Sequence, residues 1–214
     1  MLKVSLISET DEYGNLLRDF TRRQIKDHPI NMFECHDDVY LMCIDLIDTA
    51  VPLEEPAQLI ICLQKDSLLF FCETETLRTR VNAAAELVRS DEKSMPQMLY
   101  DFLSELIKND VDSIENIEDD LNTVEERVVE MSSAEDLREL RRIRRKIRRL
   151  RMYYDEMDII ADALVDNETG IIPEDMERRF EIFHGRVERL STLVLDLREY
   201  STQVREAYQS QIDI

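Results

Sequence analysis

The chain has 214 residues, 43% hydrophobic and 35% charged, with three glycines, no tryptophan and a formal net charge of −20. That apolar content supports a real core and excludes a disordered chain, and abundant Leu, Ile, Arg and Glu with so few glycines favour helix over most of the length. A field of this sign repels nucleic-acid phosphates and anionic lipid surfaces and attracts cations.

The four cysteines, Cys35, Cys43, Cys62 and Cys72, lie in the first third, in apolar stretches and without C-x-x-C spacing. They read as buried free thiols of a reducing compartment. Cys35 and His36 alone would offer a zinc ion two adjacent ligands and no others. Residues 1–7 are too short an apolar run for a signal peptide, and no window approaches the roughly 20 apolar residues of a membrane span. The expectation is a soluble, cytoplasmic chain.

In chain order, residues 1–8 (MLKVSLIS) predict a strand, and Leu16, Leu17, Phe20 and Ile25 predict a helix over 11–27, stopped at His28-Pro29. Residues 31–48 predict two strands separated by Asp37-Asp38. AQLIICLQ and SLLFFCE, flanking Lys65-Asp66, predict a hairpin whose continuous apolar runs suit strands covered on both faces. From Thr74 onward only helix is expected. TLRTRVNAAAELVR gives about four turns. Ser94, with Gln97 three residues on and Pro96 in the first turn, opens a helix whose stripe runs Leu99, Phe102, Leu106, Ile107, Val111, Ile114, Ile117, Leu121, Val124, Val128 and Met131. Ser132 and Glu135 form a capping box for a return helix carrying Leu137, Leu140, Ile143, Ile147, Leu150, Met157, Ile160 and Leu164. The short connection makes the two an antiparallel hairpin.

Asn167-Glu168-Thr169-Gly170 ends that helix, and Pro173 with Glu174 and Asp175 opens another. Its stripe, Met176, Phe180, Phe183, Val187, Leu190, Val194, Leu197, Ser201, Val204, Tyr208 and Gln211, alternates steps of four and three. A helix over 173–214 would be about 60 Å long. Ending in mid-stripe on Ile212 and Ile214, it reads as cut rather than finished. The fold class is therefore α+β: a small mixed β-sheet domain with helical cover (1–92), then an antiparallel long-helix hairpin and a very long C-terminal stalk helix (93–214).

Residues 101–130 are acidic and residues 138–151 (RELRRIRRKIRRLR) basic. Antiparallel register sets Asp119 and Asp120 near Arg145 and Lys146, and Glu126 near Glu139 and Arg142, so the blocks are expected to zip together. An Arg-rich helix can also track nucleic acid, but the acidic surroundings and the lack of interleaved aromatics argue against it. No Gly-rich phosphate loop, H-E-x-x-H or G-x-S-x-G is present. An enzyme is not expected.

YDFLSELIKNDVDSIENIEDDLNTVEERV, LRELRRIRRKIRRLRMYYDEMDIIADAL and FEIFHGRVERLSTLVLDLREYSTQVREAYQSQIDI together resemble the cytoplasmic part of CorA-type magnesium transporters. The shared features are an acidic helix, an Arg-rich return helix and a stalk ending in a Y-x-S segment. DDVYLMCIDLIDTA and LIICLQKDSLLFFCE resemble the family's central strands, and TLRTRV the start of its connecting helix, so the resemblance covers residues 35–214. The family's Gly-Met-Asn motif, which follows its first membrane span, is absent.

The resemblance implies the ion-sensing, gating part of a divalent cation transporter at the cytoplasmic face of the cell membrane. It implies a homopentamer held in the membrane by C-terminal helices absent from this chain. Mg²⁺, or Co²⁺, Ni²⁺ or Zn²⁺, is the regulatory ligand, with no organic cofactor and no nucleic acid. Glu181 falls nearest the family's regulatory carboxylate, and Asp175 is the second choice. The alternative is a stand-alone coiled-coil adaptor whose last stripe pairs with another protein's helix.

Overall fold

In a computed structural model the chain is described over residues 1–27, 32–36, 38–131 and 133–212. His28-Pro29, Asp37, Ser132 and Ile214, which figure in the sequence reading, lie outside the described residues. Five strands, β1 (Leu2–Leu6), β2 (Phe33–His36), β3 (Val39–Leu46), β4 (Ala57–Gln64) and β5 (Ser67–Cys72), form one sheet in the order β1-β5-β4-β3-β2. β1 runs parallel to β5 and the other pairs are antiparallel, with Gln64 opposite Ser67 across the Lys65-Asp66 turn.

The chain divides into two compact units, each built from three stretches. The first comprises 1–46, 56–108 and 156–187, and contains the sheet. Val39, Leu41, Cys43, Ile60, Cys62, Leu69 and Phe71 form one of its faces and are covered by Tyr13, Leu17 and Ile25. Alternate residues Tyr40, Met42, Ile44, Leu59, Ile61, Leu63, Leu68 and Phe70 point to the opposite face and are just as buried. Two covered faces explain why these strands read as unbroken apolar runs.

Helix α1 (Asp19–Asp27) is preceded by a 3₁₀ segment, Ile7–Tyr13, where one helix over 11–27 was expected. The Glu9 carboxylate accepts from Leu6 N–H at 2.9 Å, and Tyr13 reaches Ser5 through its hydroxyl, so the tighter winding lays Tyr13 on the sheet at Phe71. Leu17 and Ile25 are buried as expected, whereas Phe20 is exposed and meets the His36 ring edge-on.

Helix α2 (Glu75–Val88) is capped by Thr74, whose hydroxyl accepts from Leu77 N–H, and packs on β1 and β5. Helix α3 (Met95–Leu106) is capped by Ser94 accepting from Gln97 N–H, with Pro96 in the first turn, as the sequence predicts. It sets Phe102 on Phe70, ring centres 4.4 Å apart.

The apolar stripe from Leu99 to Met131 is not one helix. It breaks at 107–109, and α4 (Asp110–Met131) starts afresh in the second unit, which comprises 47–55, 109–155 and 188–214. Asn109 contributes the carbonyl that accepts from Ser113 N–H. Periodicity survives such a break because Ile107 and Ile114 are both buried across it.

Helix α5 (Ala134–Asp166) contributes 134–155 to the second unit and 156–166 to the first. Its cap lies one residue beyond the expected box. Ser133 Oγ accepts from Asp136 N–H, and the Asp136 carboxylate accepts from Ser133 N–H, so Ser133 and Asp136 form a capping box, while the expected cap Ser132 lies outside the described residues. The return turn in the first unit is held by Asn167, whose side chain accepts from Ile172 N–H and donates to Ile172 O. Asn167 and Gly170 have φ of 46° and 68°, the left-handed region that Asn and Gly tolerate.

Helix α6 (Glu174–Ile212) carries the terminal stripe. In the first unit Met176, Phe180, Phe183 and Val187 are buried, and in the second Leu190, Val194, Leu197, Ser201, Val204 and Tyr208 are. The stripe is thus covered by the chain itself at these positions. Within the second unit the three helices share one seam, to which α4 adds Ile114, Ile117, Leu121, Val124 and Val128, and α5 adds Leu140, Ile143, Ile147 and Leu150.

The thiols follow from this packing. Burial pushes those of Cys43, Cys62 and Cys72 up to about 12, while Cys35 is only half-buried. A disulfide reagent at pH 8 should therefore label Cys35 in the native protein and the other three only on unfolding. Rapid native labelling of all four would contradict the packing.

Candidate functional site

The expected cation ligands sit on the first two turns of α6. Pro173 O accepts from Met176 N–H, and Glu174, Asp175 and Glu177 occupy the first turn, where acids complement the helix dipole. Asp175 is exposed. Glu181 is half-exposed and bound by Arg178 at 2.6 Å. Six residues on a helix separate Asp175 and Glu181 by about 240° around the axis, so they face different directions. The nearby His184 meets Asp158 on α5 at 3.2 Å. Among the described residues no group of three His, Cys, Asp or Glu side chains is placed to hold a metal ion. Hydrated Mg²⁺ needs only one or two protein carboxylates, so single residues on this surface satisfy its chemistry only with oxygens from elsewhere.

The helices of the second unit are held by polar contacts in antiparallel register. At one end Asp110, 2% exposed, accepts from Thr49 Oγ1 at 2.8 Å and from Tyr154 Oη at 2.9 Å. Burial, then the Asp110 charge, raises the Tyr154 pKa, so this hydroxyl stays protonated and keeps donating. Midway, Lys146 meets Asp120 at 2.7 Å, the one expected cross-helix pair that forms. At the turn Arg127 Nε donates to Asp136 at 2.8 Å and its Nη2 to Glu139. Arg127, not Glu126, is therefore the residue of α4 that reaches Glu139.

Helix α6 runs parallel to α4. Tyr200 Oη meets Asn122 at 2.7 Å and Glu125 at 2.6 Å, and Tyr208 Oη donates to Ser133 O at 3.1 Å. Burial first, then the Glu125 carboxylate, pushes the Tyr200 phenol up to about 12. The Asp110 node escapes a sequence reading because that residue sits in a block of acids that looks uniformly solvated. The only signal was the aromatic pair Tyr153-Tyr154 on the return helix.

A sequence model of the CorA-like Mg²⁺ transporter proteins matches residues 11–214. The chain belongs to this transporter family. No curated protein sequence matches it. Among solved structures it is similar to full-length CmaX, with 17% identity and a TM-score of 0.76 over 96% of this chain and 65% of that one. It is also similar to the complete CorA magnesium transporter of Methanocaldococcus jannaschii, with 14% identity and a TM-score of 0.75 over 97% of this chain and 66% of that one. The ZntB cytoplasmic domain of Vibrio parahaemolyticus RIMD 2210633 gives 11% identity and a TM-score of 0.73, over 96% and 84%.

This family member thus spans just under two thirds of the two full-length relatives, and at these identities the likeness is one of fold. Among its described residues no helix is long and apolar enough to cross a membrane.

The cap at Ser133 makes a pH test. Ser133's hydroxyl first, then Arg127 against the opposing effect of burial, holds the Asp136 carboxyl below its ordinary value of 3.8. A lowered folded-state pKa stabilises the fold above the unfolded value and loses that stabilisation as pH falls through the folded one. Asp136→Asn should cost about 1 kcal/mol at pH 7. In urea unfolding the gap between variant and parent should close as pH drops below about 4. A gap that does not change between pH 7 and pH 3 would show that the carboxylate charge contributes nothing.

Proposed function

We propose that the chain is the cytoplasmic, cation-sensing part of a divalent cation transporter, which gates transport and performs no chemistry. The observation that carries this reading is the match of the transporter family over residues 11–214, joined to a fold similar to a cytoplasmic domain over 96% of the chain. The net charge of −20 supports it physically. Acidic copies brought together repel one another, cations between them relieve the repulsion, and cation loss shifts the population toward looser states. On this reading the working assembly is a homopentamer held by membrane segments outside this chain.

Asp175 and Glu181 are the proposed ligands of Mg²⁺, or of Co²⁺, Ni²⁺ or Zn²⁺, with the remaining oxygens coming from water and from a neighbouring copy. Glu181 must leave Arg178 to take that role, so cation binding there competes with an existing ion pair. The adaptor alternative loses support because the α6 stripe it would offer a partner is buried within the chain.

Thermal unfolding over a Mg²⁺ series tests the proposal. A ligand that binds only the folded form, present at ten times its dissociation constant, contributes about 1.4 kcal/mol. For a chain of this size that raises the melting temperature by about 3–6 °C. Glu181→Gln combined with Asp175→Asn should abolish the rise, while the metal-free melting temperature falls only by the small amount that one helix-dipole charge and one exposed ion pair contribute. A flat response to Mg²⁺, Co²⁺, Ni²⁺ and Zn²⁺ at concentrations where the chain self-associates would overturn cation sensing.

A further inference from the structure

The basic block of α5 is not neutralised by the acidic helix. Among the described residues Lys146–Asp120 is the one expected cross-helix pair that forms, and most of the arginines between 138 and 151 line a groove instead. There, within the second unit, α5 and α6 wall an open groove of about 930 Å³, lined by Arg138, Arg141, Arg144, Arg145, Arg148 and Arg198. Among the described residues none of these six makes an ion pair, in a chain carrying twenty excess negative charges. The one acid in the lining, Asp155, faces Arg151 at 3.5 Å.

A second observation is independent of charge counting. Arg144 Nη1 is shut off from solvent and has no hydrogen-bond partner. A buried donor on a cation left unpaired is costly, and native structures rarely keep one without a ligand or water to satisfy it. Arg144 also lines the adjoining groove beside Arg141 and Arg205, and Arg145 and Arg148 continue past Leu53 toward Arg149. Steps of three and four set these side chains on one face, as a band about 20 Å long.

We propose that this groove binds a compact anion bearing two or more phosphate groups. The guanidinium fork pairs with phosphate oxygens bidentately, and several arginines converging on one volume call for several negative charges in one small molecule. The volume falls in the range of small-molecule sites. Ile147 and Met152 are the only large apolar side chains in the lining, and no aromatic ring is present to stack a base, so the phosphates and not a nucleobase are recognised. The long-range field of the chain repels extended polyanions, whereas a small ligand meets only the local arginines. This site is separate from the carboxylates of α6 and does not depend on their role.

Calorimetric titration of the whole chain with inorganic tripolyphosphate, in chelator and about 0.15 M salt, tests the assignment. Binding that raises the melting temperature is expected. It should weaken about tenfold or more for each arginine removed in Arg144→Gln and Arg148→Gln. Arg23→Gln, on the exposed face of α1, should bind like the parent, and circular dichroism verifies that all variants are folded.

Phosphatidylcholine vesicles with and without phosphatidylinositol bisphosphate identify the source. Capture by the phosphoinositide vesicles, reversed by tripolyphosphate, supports the site with a lipid headgroup as its ligand. Tripolyphosphate binding without capture supports it with a free polyphosphate. Absence of both overturns the proposal, as does equal loss in Arg23→Gln. It is also overturned if the arginine substitutions abolish only self-association of the chain or only binding of single-stranded RNA.

Discussion

The constraint on which the rest of the structure depends is burial of the apolar stripe of α6 by the chain's own helices. Ten positions from Met176 to Tyr208 are removed from water, six of them in the second unit on the seam of α4 and α5. Each large aliphatic side chain buried this way contributes about 1.5–3 kcal/mol relative to exposure. That seam holds the register in which Asp110 meets Tyr154 and Arg127 meets Asp136. Those polar contacts select one register among those a uniform stripe would allow, because a shifted hairpin would strand a buried carboxylate without its donors.

Two consequences follow for function. With the stripe buried, the outer faces of α6 carry exposed Asp175 and half-exposed Glu181 together with the exposed apolar side chains Ile182 and Leu195. On α5 the same packing turns the arginines away from their expected acidic partners and gathers them in a groove. The two charge blocks, which look complementary in sequence, are thereby only partly paired.

Much of this was legible beforehand. The strands, the Lys65-Asp66 turn, the cap at Ser94 and the helical hairpin each carry a local signal in residue order or side-chain type. Where the reading failed, two local solutions were nearly equivalent. Ser132 with Glu135 and Ser133 with Asp136 are both good boxes, and Arg127 favours the second by binding Asp136. The helix break at 107–109 was hidden because the apolar period continues across it. The placement of Tyr13 on the sheet depends on a long-range contact with Phe71 that no local pattern encodes. The candidate site was less legible than the fold, since an exposed acid, a buried acid and an unpaired arginine are indistinguishable in a charged block until the faces of the helices are known.

The central claim, that the chain covers its own terminal stripe, is tested most directly by the concentration dependence of its thermal unfolding in chelator. A self-covered seam predicts a cooperative transition of a monomer that keeps its whole helix content, with a midpoint unchanged over a hundredfold range of protein concentration at about micromolar levels. A midpoint that climbs with concentration, or loss of helix on dilution, would show that α6 needs other copies to be folded and would contradict the account.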